Sequence, residues 1–230
     1  KLPDVAYDRL TLLMHHAQDP DETEREALLS QVLKFQKDYP TDHRNGDLLV
    51  AVATAYDDDP QKERDLLNQA IRYANADLKA EISDDLKRLE MVGRPLKLKF
   101  DSVQGQEINI ESYRGKVVLI YFFAGGSPPS VMGLGPVKEI ADGLARTGEF
   151  QLLAISLDDK KEMLDTILKR TGLNCPVYFD GKGWDSALPR SLGINRLPTV
   201  WLVDKHGNLR VLNAINNTEA LVRGLMREEQ

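Results

Sequence analysis

Lys116-Val117-Val118-Leu119-Ile120-Tyr121-Phe122-Phe123-Ala124-Gly125-Gly126-Ser127-Pro128-Pro129-Ser130 is the stretch that decides how this chain is read. Seven strand-forming residues in an unbroken apolar run predict a buried strand over 117–123. Ala124-Gly125-Gly126 predicts a sharp loop, and the run after it has the apolar spacing of a helix to about Thr147. Ser127 suits the N-cap of that helix and Pro128 its first position, where a missing N–H costs nothing. Strand, loop and helix N-terminus together place a side chain at the carboxyl end of a central strand. Backbone N–H groups converge there, and α/β folds carry their chemistry there.

Downstream, the pattern alternates strands and helices. A strand is expected over 150–157, a helix over 160–171 and a strand over 176–179. A short helical stretch through Trp184 and Leu192 leads to Leu197-Pro198-Thr199. Strands over 200–203 and 209–213, joined by the turn Asp204-Lys205-His206-Gly207, and a helix from about Asn217 close the chain. Upstream, Leu96, Leu98 and Phe100 alternate, Gln104-Gly105-Gln106 turns, and Ile108 and Ile110 alternate again, predicting a β-hairpin.

Before Val92-Gly93-Arg94-Pro95 the pattern is wholly helical, so a boundary is expected there: a helical domain over 1–92 and an α/β domain over 93–230. Val5, Leu10, Leu13 and Met14 mark a helix that Asp19-Pro20 interrupts. Asp21 followed by Glu24 predicts a capping box on the second helix, and Tyr39-Pro40 stops it. A third helix over 46–56 is apolar on most of its surface and is expected to be central. A fourth opens at Pro60 and runs to about Ala74, and a fifth covers 77–91. Residues 51–75 have the size of a tetratricopeptide-like helix pair, without a second copy at a fixed period.

The chain's net charge of −6 and the lack of a basic stripe argue against nucleic acid or anionic membrane as partners. No apolar run approaches the roughly 18 residues a membrane span needs. Cys175 is the sole cysteine, which excludes an intrachain disulfide, a Cys-x-x-Cys couple and a cysteine-based zinc site. Asp57-Asp58-Asp59 lacks the alternating ligands and closing Glu of a calcium loop and reads as a solvated turn. No metal or cofactor is expected.

The frame around Ser127 resembles the active-site stretch of thioredoxin-like redoxins of the TlpA and AhpC/TSA type. There the strand is followed by Trp-Ala-x-Trp-Cys-Pro-Pro-Cys, where this chain has Phe123-Ala124-Gly125-Gly126-Ser127-Pro128-Pro129-Ser130. Tyr113 to Leu119, Ile155 to Asp158, Asp180 to Trp184, Gly193 to Thr199 and Val203 to Asn208 extend the likeness over about 135 residues. It implies an α/β thioredoxin-like fold, a central mixed sheet flanked by helices, preceded here by a small all-α domain. It also implies that Ser127 stands where the family's nucleophilic cysteine sits and Ser130 where the resolving one sits. Neither hydroxyl forms a disulfide, so redox inactivity is expected, with the two serines capping the helix.

Further expectations follow from the resemblance. Phe123 and Gly126 occupy the places of tryptophans, and Gly126 leaves open the space that a ring would fill. Pro198 matches the family's cis-proline, and the backbone of Leu197 matches the position that pairs with an extended peptide. Phe123, Gly126, Leu197 and Pro198 are therefore the candidate peptide-binding residues, and an extended peptide or protein is the candidate partner. Tyr121 fills a strand position where relatives often carry a polar group assisting proton transfer. The likeness to exported bacterial redoxins, with Lys1 rather than Met at the start, implies an extracytoplasmic, periplasmic-type location.

Other chemistries fit less well. Gly125-Gly126-Ser127-Pro128-Pro129 supplies half of a nucleophile elbow. No base can be named beside Ser127, because His15, His16 and His43 lie in the helical region and His206 in a turn. No Gly-Lys-Ser/Thr follows the glycines, and Pro128 removes an N–H that a phosphate loop would use. Cys175 has Gly172 three residues before it, where a peroxidatic pattern has Thr, and it reads as a buried free cysteine. Two readings remain: a non-redox binding or scaffold protein, or a thiol–disulfide oxidoreductase whose cysteines were replaced by serine. The drift at the tryptophan positions favours the first.

Overall fold

The computed structural model describes residues 2–16, 21–56, 59–215 and 217–228. Asp19-Pro20 and Asp57-Asp58, expected as an interruption and an acidic turn, lie outside the described residues. The chain divides into two compact units, residues 1–89 and 90–230.

Helices α1 (Leu2–His16), α2 (Glu22–Asp38), α3 (Arg44–Ala53), α4 (Pro60–Ala70) and α5 (Ala76–Met91) form the N-terminal part. Their starts follow local chemistry. The Asp21 carboxylate accepts the Glu24 N–H at 2.8 Å, and the Glu24 carboxylate accepts the Asp21 N–H at 3.2 Å, completing the capping box. Asp59 caps α4 by accepting the Lys62 N–H at 3.0 Å, with Pro60 in the first turn. Leu48, Leu49 and Val52 of α3 are fully buried, so α3 is the central helix of this unit. It starts earlier than its apolar pattern predicts, because Asp42 holds both the N–H and the guanidinium of Arg44. That guanidinium also reaches Asp4, tying α1 to the start of α3. α4 ends at Ala70 rather than Ala74, passing into a turn from Ile71.

The second unit holds β1 (Lys99–Asp101), β2 (Glu107–Asn109), β3 (Val117–Phe123), α6 (Pro128–Leu144), β4 (Phe150–Ser156), α7 (Lys161–Thr171), β5 (Val177–Tyr178), α8 (Ala187–Ser191), β6 (Thr199–Val203), β7 (Leu209–Val211) and α9 (Thr218–Arg227). β1 and β2 pair as an antiparallel hairpin. The other strands form one mixed sheet in the order β5-β4-β3-β6-β7. β3 runs parallel to β4 and antiparallel to β6, so the uninterrupted apolar strand is the middle one.

All seven side chains of β3 are buried, and alternation sends them to two cores. Val117, Leu119, Tyr121 and Phe123 face α6, α7 and α9 through Leu134, Val137, Leu164, Ile167, Val222 and Leu225. Val118, Ile120 and Phe122 face the β1–β2 hairpin and the region of α8, with Phe122 meeting Trp201 edge-on at 5.2 Å. A strand covered on both faces needs no polar alternation, which is why its sequence reads as one apolar run. This is a thioredoxin-like fold with an all-helical N-terminal segment. Among the described residues, no helix is long and apolar enough to cross a membrane.

Candidate functional site

The loop after β3 is held from two directions. The Ser127 N–H donates to the Ala124 carbonyl at 3.0 Å, closing a tight turn over 124–127. From the β4 side, the Gly125 N–H donates to Asp158 Oδ1 at 2.7 Å, and Ser156 Oγ donates to Asp158 Oδ2 at 2.8 Å. Asp158 is buried with both oxygens engaged, so it anchors the loop to the end of β4. Sequence reasoning missed this role. Asp158 follows an apolar strand as a loop carboxylate commonly does, and its partner lies 33 residues away.

Gly125 is packed tightly against α7. A Cβ there would stand 2.5 Å from Met163 Cγ and 2.6 Å from Ile167 Cδ1, both from α7. Its neighbour Gly126 is exposed, with open space around the corresponding position, as the sequence led us to expect.

The two serines do not cap α6 as expected. Ser127 holds the N-cap position, but its side chain accepts no backbone N–H. Instead, Ser130 Oγ donates to Ser127 Oγ at 2.9 Å. Pro129 contributes to the change: it stands at the second helical position and removes one of the two N–H groups that a cap serves, leaving only that of Ser130. Ser130 is fully buried and Ser127 half-buried, so one hydroxyl faces outward over an inner one. With two donors removed, this helix N-terminus is also a poor cradle for phosphate.

Beneath the pair, the Tyr121 hydroxyl donates to the Ser130 carbonyl at 2.8 Å. Burial pushes that phenol well above its ordinary range, so it stays protonated and acts as a fixed strut. A Cβ on Gly133 would collide with the Tyr121 oxygen, so Gly133 is the hole in α6 that lets the ring in. Gly133→Ala is therefore expected to destabilise the protein by about 1–3 kcal/mol through overpacking, which exceeds the about 1 kcal/mol gained from helix propensity. Tyr121→Phe in the same background should recover part of that loss in urea unfolding, because it removes the colliding oxygen.

On the other side of β3, the Leu197–Pro198 bond is cis, as the family resemblance implied. Phe122 pairs with Thr199, so continuing the register sets Pro198 beside Phe123 and Leu197 beside Ala124. Leu197 and Pro198 are half-buried. Among the described residues, neither the N–H nor the C=O of Leu197 has a backbone partner. The structure thus brings Gly126, Ser127, Leu197 and Pro198 to one end of β3. Phe123 departs from the expectation for a binding residue: its ring is fully buried in the core against α6 and α7 and lines no surface.

The remaining candidates lie elsewhere. Cys175 is buried, and burial pushes its thiol up to about 12, so a neutral thiol persists across the physiological range. The His206 N–H donates to Asp204 within the terminal hairpin turn. Among the described residues, no cluster of His, Cys, Asp and Glu could hold a metal ion.

A model of the AhpC/TSA family matches residues 92–212, just over half of the 230-residue chain. The chain belongs to the AhpC/TSA family. Among characterised relatives, the thiol-disulfide oxidoreductase ResA of Geobacillus thermodenitrificans is 27% identical over 108 residues, 47% of this chain and 60% of that protein's length. ResA of Halalkalibacterium halodurans is 23% identical over 126 residues, 55% of this chain and 69% of that protein.

Solved structures share the fold. The C-terminal domain of a candidate thiol-disulfide oxidoreductase from Bacteroides thetaiotaomicron superposes with a TM-score of 0.55 at 21% identity, covering 60% of this chain and 97% of that domain. The thioredoxin domain of a thiol-disulfide oxidoreductase from Bacteroides vulgatus gives 0.50 at 16% identity, covering 58% and 97%. This family member is thus related to thiol-disulfide oxidoreductases while carrying a single cysteine and no redox-active pair.

Proposed function

We propose that this protein is a non-redox binding member of its family and takes an extended peptide or protein segment beside Leu197–Pro198. The observation that carries the reading is the unpaired backbone of Leu197 at a cis-proline turn, facing a loop whose nucleophile position holds a hydroxyl. An incoming strand supplies the C=O and N–H that Leu197 lacks, and such pairing needs no cysteine. The Ser127 hydroxyl, half-exposed, adds a donor and an acceptor to the same edge. An extracytoplasmic location, implied by the likeness to exported redoxins, belongs to the same proposal, and cell fractionation tests it.

Titration of the labelled protein with a mixture of unstructured decapeptides, followed by amide NMR, tests the binding. Resonances of Gly126, Ser127, Leu197 and Thr199 should shift together, with dissociation constants of about 1 μM to 1 mM. No shift at these amides at millimolar peptide would refute the reading. A second reading, an oxidoreductase with both cysteines exchanged for serine, is favoured by the hydroxyl pair in the isosteric positions. Cysteine codons at 127 and 130 in the natural gene would establish it.

A further inference from the structure

We infer that α1 is the contact through which two copies of this chain associate, side by side and parallel, about a two-fold axis running along the helix. The basis is a stripe on α1 that faces away from its own unit and complements itself.

α1 is apolar on two sides. Its inner side packs within the helical unit: Leu10 is 5% exposed, the Tyr7 ring lies 6.5 Å from that of Phe35, and the Arg44 guanidinium stands over Tyr7 at 4.9 Å. At 3.6 residues per turn, Val5 and Leu12 share a direction to within about 20°, and that direction is about 140–160° from Leu10 and Tyr7. Val5 is 69% exposed and Leu12 58%, more than any other large apolar side chain described in that unit. One exposed apolar residue needs no explanation. Two in line, seven residues apart, on the outer side of a helix whose inner side is already buried, form a seam.

Asp8 and Arg9 flank the seam, about 40–60° to either side of it. Both are exposed, and among the described residues neither side chain has a hydrogen bond or an ion pair. Asp4, one turn away, is held by Arg44 instead. Adjacent residues of one helix point apart, so Asp8 and Arg9 cannot neutralise each other. A second copy neutralises both. With two α1 helices parallel and in register, Val5 meets Val5 and Leu12 meets Leu12, and the two-fold brings Asp8 of each copy to Arg9 of the other on both sides of the seam. An antiparallel pair would set Asp8 against Asp8 and Arg9 against Arg9, so the charges select the parallel arrangement. The seam spans two helical turns and buries well under the about 1,200 Å² of a stable complex, so a weak dimer is expected, with a dissociation constant of about 0.1–1 mM.

Sedimentation velocity of the full chain across about 0.02–2 mM tests this, and the wild type should pass from monomer to dimer over that range. Asp8→Arg and Arg9→Asp each set like charges across the seam and should weaken association at least about fivefold. An equimolar mixture of these two variants should nevertheless pair at least as tightly as the wild type, and the exchange Asp8→Arg/Arg9→Asp should restore self-association. Their melting curves should be unchanged, because both side chains are exposed. Leu12→Cys, oxidised with glutathione disulfide, should crosslink to itself, while the buried Cys175 stays out of the reaction. A wild type that remains monomeric, single variants that associate as it does, or a mixture that pairs no better than its components overturns the inference. So does crosslinking of Leu12→Cys only with Val5→Cys, which reports an antiparallel pair.

Discussion

Replacing both serines by cysteine should convert an inactive protein into a disulfide reductase. The wild type is expected to reduce insulin no faster than buffer with dithiothreitol, and Ser127→Cys/Ser130→Cys at least about tenfold faster. The geometry for a disulfide is already in place. The two hydroxyl oxygens already touch at 2.9 Å across one helical turn, and a disulfide needs its sulfurs at about 2.05 Å on the same Cβ framework. Ser127 is half-exposed at the N-terminus of α6, where the helix field favours a thiolate, and Ser130 is buried, as a resolving thiol would be. Cys175 does not interfere, because its thiol is buried and held neutral. Thiol titration of the oxidised double variant should find Cys175 alone, and only after denaturation. Insulin reduction by the wild type itself would defeat the non-redox reading. Failure of the double variant to close a disulfide would mean that the loop no longer permits the sulfur approach.

The second large effect is expected at Asp158. Asp158→Ala strands the Gly125 N–H and the Ser156 hydroxyl, both of which now donate to the buried carboxylate. Each orphaned polar group costs about 1–3 kcal/mol, so a total loss of about 2–6 kcal/mol in urea unfolding is expected. Asp158→Asn keeps one acceptor oxygen and should lose about half as much. The loop should also lose its register against α7, so peptide affinity should fall in Asp158→Ala even where the protein remains folded. A stability loss under about 0.5 kcal/mol would show that water replaces the carboxylate and that the loop is held by its own turn.

Much of this molecule is legible without coordinates. The run from Val117 to Phe123, rich in strand formers, reads as a strand covered on both faces, and the structure places it in the middle of the sheet with every residue buried. The capping box at Asp21 and Glu24 is written in a local residue pair, so sequence spacing suffices to find it. The absence of a thiol pair follows from counting cysteines. Each of these depends on neighbours within a few residues or on composition, and such terms survive in one dimension.

Other features needed the third dimension. Ser127 has every local mark of a capping residue, yet its oxygen accepts from the Ser130 hydroxyl, with Pro129 leaving no donor at the second helical position. Phe123 looked like a rim residue by analogy, but strand alternation turns its ring into the core with Tyr121, against α6. Asp158 anchors a loop 33 residues distant, and Gly133 exists for a tyrosine on another element; neither distance has a sequence signature. The amino-acid order alone determined which segments form strands and helices and which chemistry is missing, since those are set by periodicity and residue type. Which polar groups meet, and which backbone edge stays unpaired, was decided only when packing brought separate segments together at the end of β3.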